Sequence, residues 1–105
     1  PLALPPLTPE QRAAALEKAA AARRTRAALR ERLKQSSVSL AQVFAEGERD
    51  EAIGKMRVSA VLESMPGVGK IRAQRIMERL SISASRRVRG LGAHQRSALE
   101  REFAE

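Results

Sequence analysis

Residues 64–70 read SMPGVGK and run directly into IRAQRIMERL at 71–80. This stretch decides both the fold and the chemistry. Val58, Val61, Leu62 and Met65 recur at helical spacing, and Pro66-Gly67 ends that short helix. A second helix opens at Lys70, with Ala73, Ile76, Met77 and Leu80 on one side and Arg72, Arg75 and Arg79 on another. Between them, Gly67-Val68-Gly69 predicts a tight hairpin. Glycine supplies the left-handed backbone angles a sharp reversal needs, and its bare backbone lets another backbone come close. Val68 pins the hairpin into the core. The free N–H groups and positive dipole end of the following helix attract an anion. Lys70 and Arg72 add positive charge in a first turn where the dipole disfavours it, which points to a use other than stability.

Two nucleotide motifs fail here. A Walker A loop needs Gly, four residues, then Gly-Lys and Ser or Thr after a strand. Gly69-Lys70 is followed by Ile71, and no Gly sits at the upstream position. The dinucleotide fingerprint needs a third Gly where Arg72 stands.

The charge pattern says whose phosphate the hairpin faces. The 105 residues carry 20 Lys plus Arg against 12 Asp plus Glu, a net charge of +8. Residues 20–34 hold six basic side chains and one acid, and residues 66–89 hold seven and one. The segment 35–53 between them is acidic, with four acids and one Arg. Two basic blocks on a small chain predict a polyanion partner rather than a merely solvated surface. The only aromatic residues are Phe44 and Phe103. Single-strand binders stack bases on rings, and this chain has too few for such a platform. The expected target is therefore a duplex gripped by its backbone. There is no cysteine, hence no disulfide framework or thiolate zinc site. No apolar run approaches a membrane span, and no signal peptide is expected.

Outward from the hairpin, the sequence reads as all-α, since no segment alternates with period two. Thr8-Pro9-Glu10-Gln11 predicts a capping-box helix start, and no Gly or Pro interrupts the chain from there to Lys34. Between Leu16 and Leu29 the only apolar residues are alanines, so packing supports this helix less than propensity does. Arg23, Arg26, Arg30 and Lys34 share one face. We expect a long basic helix projecting from a small helical domain and anchored at its C-terminal end. Residues 1–36 form the extension and 37–105 the domain. Ser39-Leu40-Ala41-Gln42 repeats the capping box, with Gly47 expected to close that short helix. A basic loop, RRVRGLG at 86–92, precedes a last helix over about 93–103 that buries Leu99 and Phe103.

Pro66-Gly67-Val68-Gly69-Lys70, with Ala73 and Ile76 behind it, resembles the helix-hairpin-helix family of backbone DNA binders. The longer unit through Arg86-Arg87-Val88-Arg89-Gly90-Leu91-Gly92 resembles its helix-two-turns-helix relative, found in a small-subunit ribosomal protein and in some glycosylases. Over nearly its full length the chain is similar to the actinobacterial integration host factors. That likeness rests on LPPLTPEQRAAALEKAAAARR at 4–24, IGKMRVSAVLESMPGVGK at 53–70 and RRVRGLG at 86–92. It implies a monomeric nucleoid-associated protein of the cytoplasm. Such a protein binds duplex DNA with little sequence preference, bends or reshapes it, and assists phage integrase complexes. Carried over by position, the hairpin contact falls on Gly67, Val68, Gly69 and Lys70, with Arg72 beside them, and the basic loop contact on Arg86, Arg87 and Arg89. Arg23, Arg24 and Arg26 on the long helix are expected to supply a second contact. Residues 45–52 match least, and nothing is carried over there.

Catalysis is not expected, and neither is any cofactor. Hairpin-containing glycosylases need an Asp downstream of the hairpin, and none follows Gly69. Helix-two-turns-helix glycosylases use an N-terminal Pro as nucleophile. Pro1 invites that thought, but Leu2-Ala3-Leu4 offers no supporting acid, and the large catalytic domain is missing. His94 is the sole histidine and implies no metal site. The runner-up function is an RNA-binding module of the ribosomal type, because the same hairpin can hold an RNA phosphate. Docking of residues 12–34 on a protein partner is disfavoured by six basic residues within 23–34.

Overall fold

The first described helix starts where its residues dictate. In the computed structural model, which describes residues 4–104, Thr8 Oγ1 accepts from the Gln11 backbone N–H at 3.0 Å, and the Thr8 N–H donates to Gln11 Oε1 at 3.0 Å. Pro9 takes the first position of α1 (Pro9–Lys34). Such a reciprocal cap contributes about 1 kcal/mol. Residues 9–19 are exposed throughout, and only Leu29 and Leu33 are buried, at 1% and 2% exposure. The helix therefore projects from one anchored end, as its alanine-only middle predicts. Pro1, weighed above as a nucleophile, lies outside the described residues.

The chain reverses after α1 through Ser36, whose φ of 56° is left-handed. The Ser36 N–H donates to Leu33 O at 3.1 Å and the Ser37 N–H to Arg32 O at 2.9 Å, which satisfies the last carbonyls of α1. Ser39 then caps α2 (Leu40–Arg49), again with a full capping box to Gln42. One expectation fails here. Gly47 does not close α2, which runs on to Arg49. Gly47 is instead buried at a helix crossing. A Cβ there would lie 2.9 Å from Val88 Cγ1 and 3.5 Å from Gly54 Cα. The glycine serves close packing, not termination. Asp50 ends α2 and starts α3 (Glu51–Gly54), its Oδ1 accepting from the Ala52 N–H at 2.9 Å.

After α3 the backbone pairs once, and this pairing was not foreseen. Arg57 and Arg87 form an antiparallel bridge, with the Val58 N–H donating to Arg86 O and the Val88 N–H to Met56 O, each at 2.9 Å. Among the described residues no strand forms. The remaining elements are α4 (Val58–Glu63), α5 (Lys70–Arg79), a single 3-10 turn at Val88–Gly90 and α6 (Ala93–Glu102). They close around one core that includes Leu29 and Leu33 of α1, Val43 and Phe44 of α2, Val61 and Leu62 of α4, Ala73 and Ile76 of α5, Val88 and Leu99. Each large apolar side chain buried this way contributes about 1.5–3 kcal/mol. Phe103 caps α6 at the core margin and is only half-buried.

The acidic segment holds the parts together. Arg32 of α1 grips Glu46 of α2 with two bonds, at 3.0 and 2.7 Å. Arg96 of α6 reaches Glu48 at 2.6 Å, and Lys55 pairs with Glu51 one turn away.

Candidate nucleic-acid interface

The hairpin is built from its two ends. The Val68 N–H donates to Met65 O at 3.1 Å, closing the turn, and Val68 is buried in the core. Gly67 takes φ +74°, the left-handed region a β-carbon resists. Gly69 is the N-cap of α5 at φ −89°, and a Cβ on it would meet nothing within 4 Å. The two glycines thus differ: the first is needed to turn the chain, while the second leaves open space in front of α5. That helix has no side-chain cap, in contrast to α1, α2 and α3. Its first-turn residues Lys70, Ile71 and Arg72 are all exposed. Uncapped donors, a helix dipole and two cations together make this end electrostatically favourable for an anion.

Arg72 folds back on the turn. Its Nη1 donates to Gly67 O at 3.2 Å, and the guanidinium lies 6.0 Å from the Phe103 ring centroid. It braces the hairpin while keeping its charge outside. Ile71, 67% exposed between Lys70 and Arg72, is an apolar side chain in open solvent that the periodicity of the sequence does not single out.

The 86–92 loop is fixed by its buried residues, Val88 and Leu91, so that the arginines between and beside them face outward. Arg86 Nη1 donates to Gly90 O at 3.1 Å, holding the 3-10 turn. Arg87 Nη1 donates to Lys55 O at 2.8 Å, tying the loop to the turn after α3. Arg89 lies over Gly54, where an added Cβ would be 3.1 Å from its Nε.

Helix α1 and this loop face a shared cavity. Arg26 and Arg30 line one wall of a cavity of about 310 Å³ that is also lined by Lys55, Arg57 and Arg87. Arg30 and Lys34 line a second cavity, of about 540 Å³, whose other side is Ser64, Met65 and Pro66, the entry to the hairpin. The Arg26-Arg30-Lys34 stripe therefore runs from the basic loop towards the hairpin. Arg23 and Arg24 lie further out on the projecting part, where Arg24 Nη2 pairs with Glu17 at 3.0 Å. Arg57 and Lys55 are the residues that local reading did not mark as part of this face, while Arg30 was read on one helix face with Arg26 but not assigned to the contact. The place of Arg57 and Lys55 depends on the Arg57–Arg87 bridge and on how α1 docks, and neither leaves a short-range signal.

Two carboxylates near this face titrate low. Glu46 sits below the ordinary glutamate value chiefly because it accepts hydrogen bonds from Arg32. Glu51 is lowered first by its bond to Lys55, with Lys18 of α1 and Arg89 adding smaller attractions. Both stay ionised and hold basic side chains in place. Among the described residues no three His, Cys, Asp or Glu side chains gather as a metal-ligand set.

A helical hairpin followed by a second structured turn and a closing helix is the architecture of helix-two-turns-helix proteins. A family profile described as S13-like H2TH domain matches residues 33–103. Integration host factor of Streptomyces coelicolor is 69% identical over 102 residues, covering 97% of this chain and 95% of that protein. Integration host factors of Mycolicibacterium smegmatis and Mycobacterium tuberculosis are each 60% identical over 102 residues, covering 97% of both chains. A solved structure of sIHF bound to an 8-base-pair palindromic DNA superposes with a TM-score of 0.81 at 64% identity, covering 84% of this chain and 99% of that one. The chain belongs to this integration host factor family. The all-helical expectation, with its long N-terminal helix and helix-two-turns-helix unit, is borne out.

Proposed function

We propose that this protein binds duplex DNA through the phosphate backbone, with little sequence preference, as a nucleoid-associated protein that bends or reshapes DNA and assists site-specific integration. The carrying observation is the open N-terminus of α5: donors without a side-chain cap, an empty approach in front of Gly69, and exposed Lys70. The residues we assign to the contact are Gly67, Val68, Gly69, Lys70 and Arg72 at the hairpin, and Arg86, Arg87 and Arg89 at the loop. Arg23, Arg24 and Arg26 extend it along α1. We read the protein as a monomeric binder of the nucleoid rather than as an enzyme. Its relatives are named as integration host factors, and one related structure is a DNA complex. Residues 1–36 serve as the extension and 37–105 as the gripping domain, with the last turns of α1 supplying Leu29 and Leu33 to the shared core.

The test is a salt-titrated series on matched DNA and RNA duplexes, comparing wild type with Arg86→Ala/Arg87→Ala/Arg89→Ala. With about six to eight phosphates neutralised, log K on DNA falls against log salt with a slope of about −5 to −7. The triple variant, if folded, loses roughly two to three units of that slope. A slope near −2 for wild type removes the backbone account. Equal or tighter binding to the RNA duplex promotes the ribosomal-type reading instead.

A further inference from the structure

The 310 Å³ cavity between α1 and the body has a composition the DNA contact does not require. Its charged lining is Arg26 and Arg30 from α1, Lys55 and Arg57 from the turn between α3 and α4, and Arg87 from the loop, over a floor of Ala52, Met56 and Ala60. Among the described residues no acid lines it, and of these cations only Lys55 has a carboxylate partner there, Glu51. Arg87 is held by a backbone carbonyl, which fixes its position but leaves its charge uncompensated. Gathering this many cations around one concavity is unfavourable in the free protein, although water screens the exposed ones, and it favours an anion whose charge matches several of them at once.

A DNA duplex does not supply that match. It spreads its charge along a convex surface, one per about 1.7 Å of axis over both strands. A recess of this size takes in one phosphodiester, which brings a single charge. A linear oligophosphate packs three or more charges into a comparable volume, and its oxygens suit the forked donors of arginine. The apolar floor then excludes water beneath the ligand and strengthens the ion pairing.

We infer that this cavity is a site for a free oligophosphate, a chain of two or three phosphates alone or as the tail of a nucleotide. Arg30 and Arg57 clamp it from opposite walls, and Arg26 and Arg87 close over it. Because Arg26 and Arg87 also belong to the proposed DNA face, a filled cavity withdraws them from the duplex. The competition rests on the DNA-binding reading, while the site itself does not.

The experiment titrates inorganic tripolyphosphate into the full chain by calorimetry in 0.15 M salt without DNA. Wild type is compared with Arg30→Gln/Arg57→Gln and with a charge-matched remote pair, Arg12→Gln/Arg101→Gln. The expected result is saturable one-to-one binding, weakened at least tenfold in the cavity variant and less than twofold in the remote one. Amide shifts on the wild-type protein are read in parallel, so that an unfolded variant does not decide the matter. Saturating shifts at Ala52, Met56 and Ala60 support the site. No saturation, equal weakening in both variants, or shifts centred on Lys70 overturn it. DNA affinity is measured separately, with and without saturating tripolyphosphate. Tripolyphosphate binding without DNA binding defeats the function proposed above and leaves the site standing. An oligophosphate that binds in the cavity but leaves DNA affinity unchanged overturns the competition.

Discussion

Two pairs of glycines sit in this molecule for opposite reasons. Gly47 and Gly54 face each other where α2 crosses α3, and a Cβ on Gly54 would fall 2.6 Å from Gly47 O. Gly67 and Gly69 flank Val68 on the surface, and a Cβ on Gly69 would touch nothing. The inner pair removes side chains so that the protein can pack on itself. The outer pair removes one to turn the chain and one that leaves open the space ahead of α5, where we place the phosphate. The same residue type thus closes space in one place and leaves it open in the other.

The largest effect that would sharpen this contrast is Gly54→Ala. The clash is with backbone, which cannot rotate away, so unfolding stability should fall by about 3 kcal/mol, and DNA binding should fall only with the folded fraction. Chemical denaturation measures the first, and affinity at a temperature where the variant is folded measures the second. A variant with unchanged stability breaks the packing half of the comparison. Next is Gly67→Val. Placing a branched residue at φ +74° costs about 2 kcal/mol of stability, and affinity for duplex DNA drops in the folded remainder although no charge is lost.

Gly69→Ser is the decisive outer variant. Serine is a good N-cap and meets no neighbour, so the melting temperature stays within a degree or two. The new side chain occupies the phosphate approach, and affinity falls about tenfold, or 1.4 kcal/mol. Unchanged affinity would mean that the outer pair, like the inner one, is only structural. The smallest effect belongs to the ion pair next to the inner glycines. Glu46→Gln leaves Arg32 with a weaker partner and costs about 1 kcal/mol at pH 7. Because the Glu46 carboxyl is held below its ordinary value of 4.5, its contribution is complete above that pH and is lost as pH falls through the lower folded value. Thermal melts across that acid range should therefore converge for wild type and variant.

Much of this was legible in the chain because the signals are local. Thr8-Gln11 and Ser39-Gln42 announce two helix starts within four residues each. Gly67-Val68-Gly69 announces the turn, and the spacing of Ala73, Ile76 and Met77 gives the buried face of α5. What escaped depends on distance. Gly47 reads as a helix stop because the Val88 and Gly54 against it are invisible at short range. Residues 45–52 match the family least and were assigned no role, yet Glu46 and Glu48 find partners 14 and 48 residues away. The part played by Arg57 follows from one two-residue bridge, too short to leave an alternating pattern. Around the candidate site the basic blocks stand out in the sequence, but which of their side chains share a cavity does not. Only the docking of α1 shows that Arg26 shares a cavity with Arg87, while Arg24 faces Glu17.

The exposed first half of α1 has a mechanical consequence. A stiff rod clamped at one end is a lever, and its fulcrum here is Leu29, Leu33 and the Arg32–Glu46 pair. From that fulcrum to Pro9 the rod is about 30 Å long, so a pivot of about 10° sweeps the tip through about 5 Å. Small repacking at two leucines is thereby magnified into a displacement of the size of a helical turn. The span over which one molecule can reach is accordingly governed at its base, and a substitution there alters geometry at the tip without touching a single residue along it.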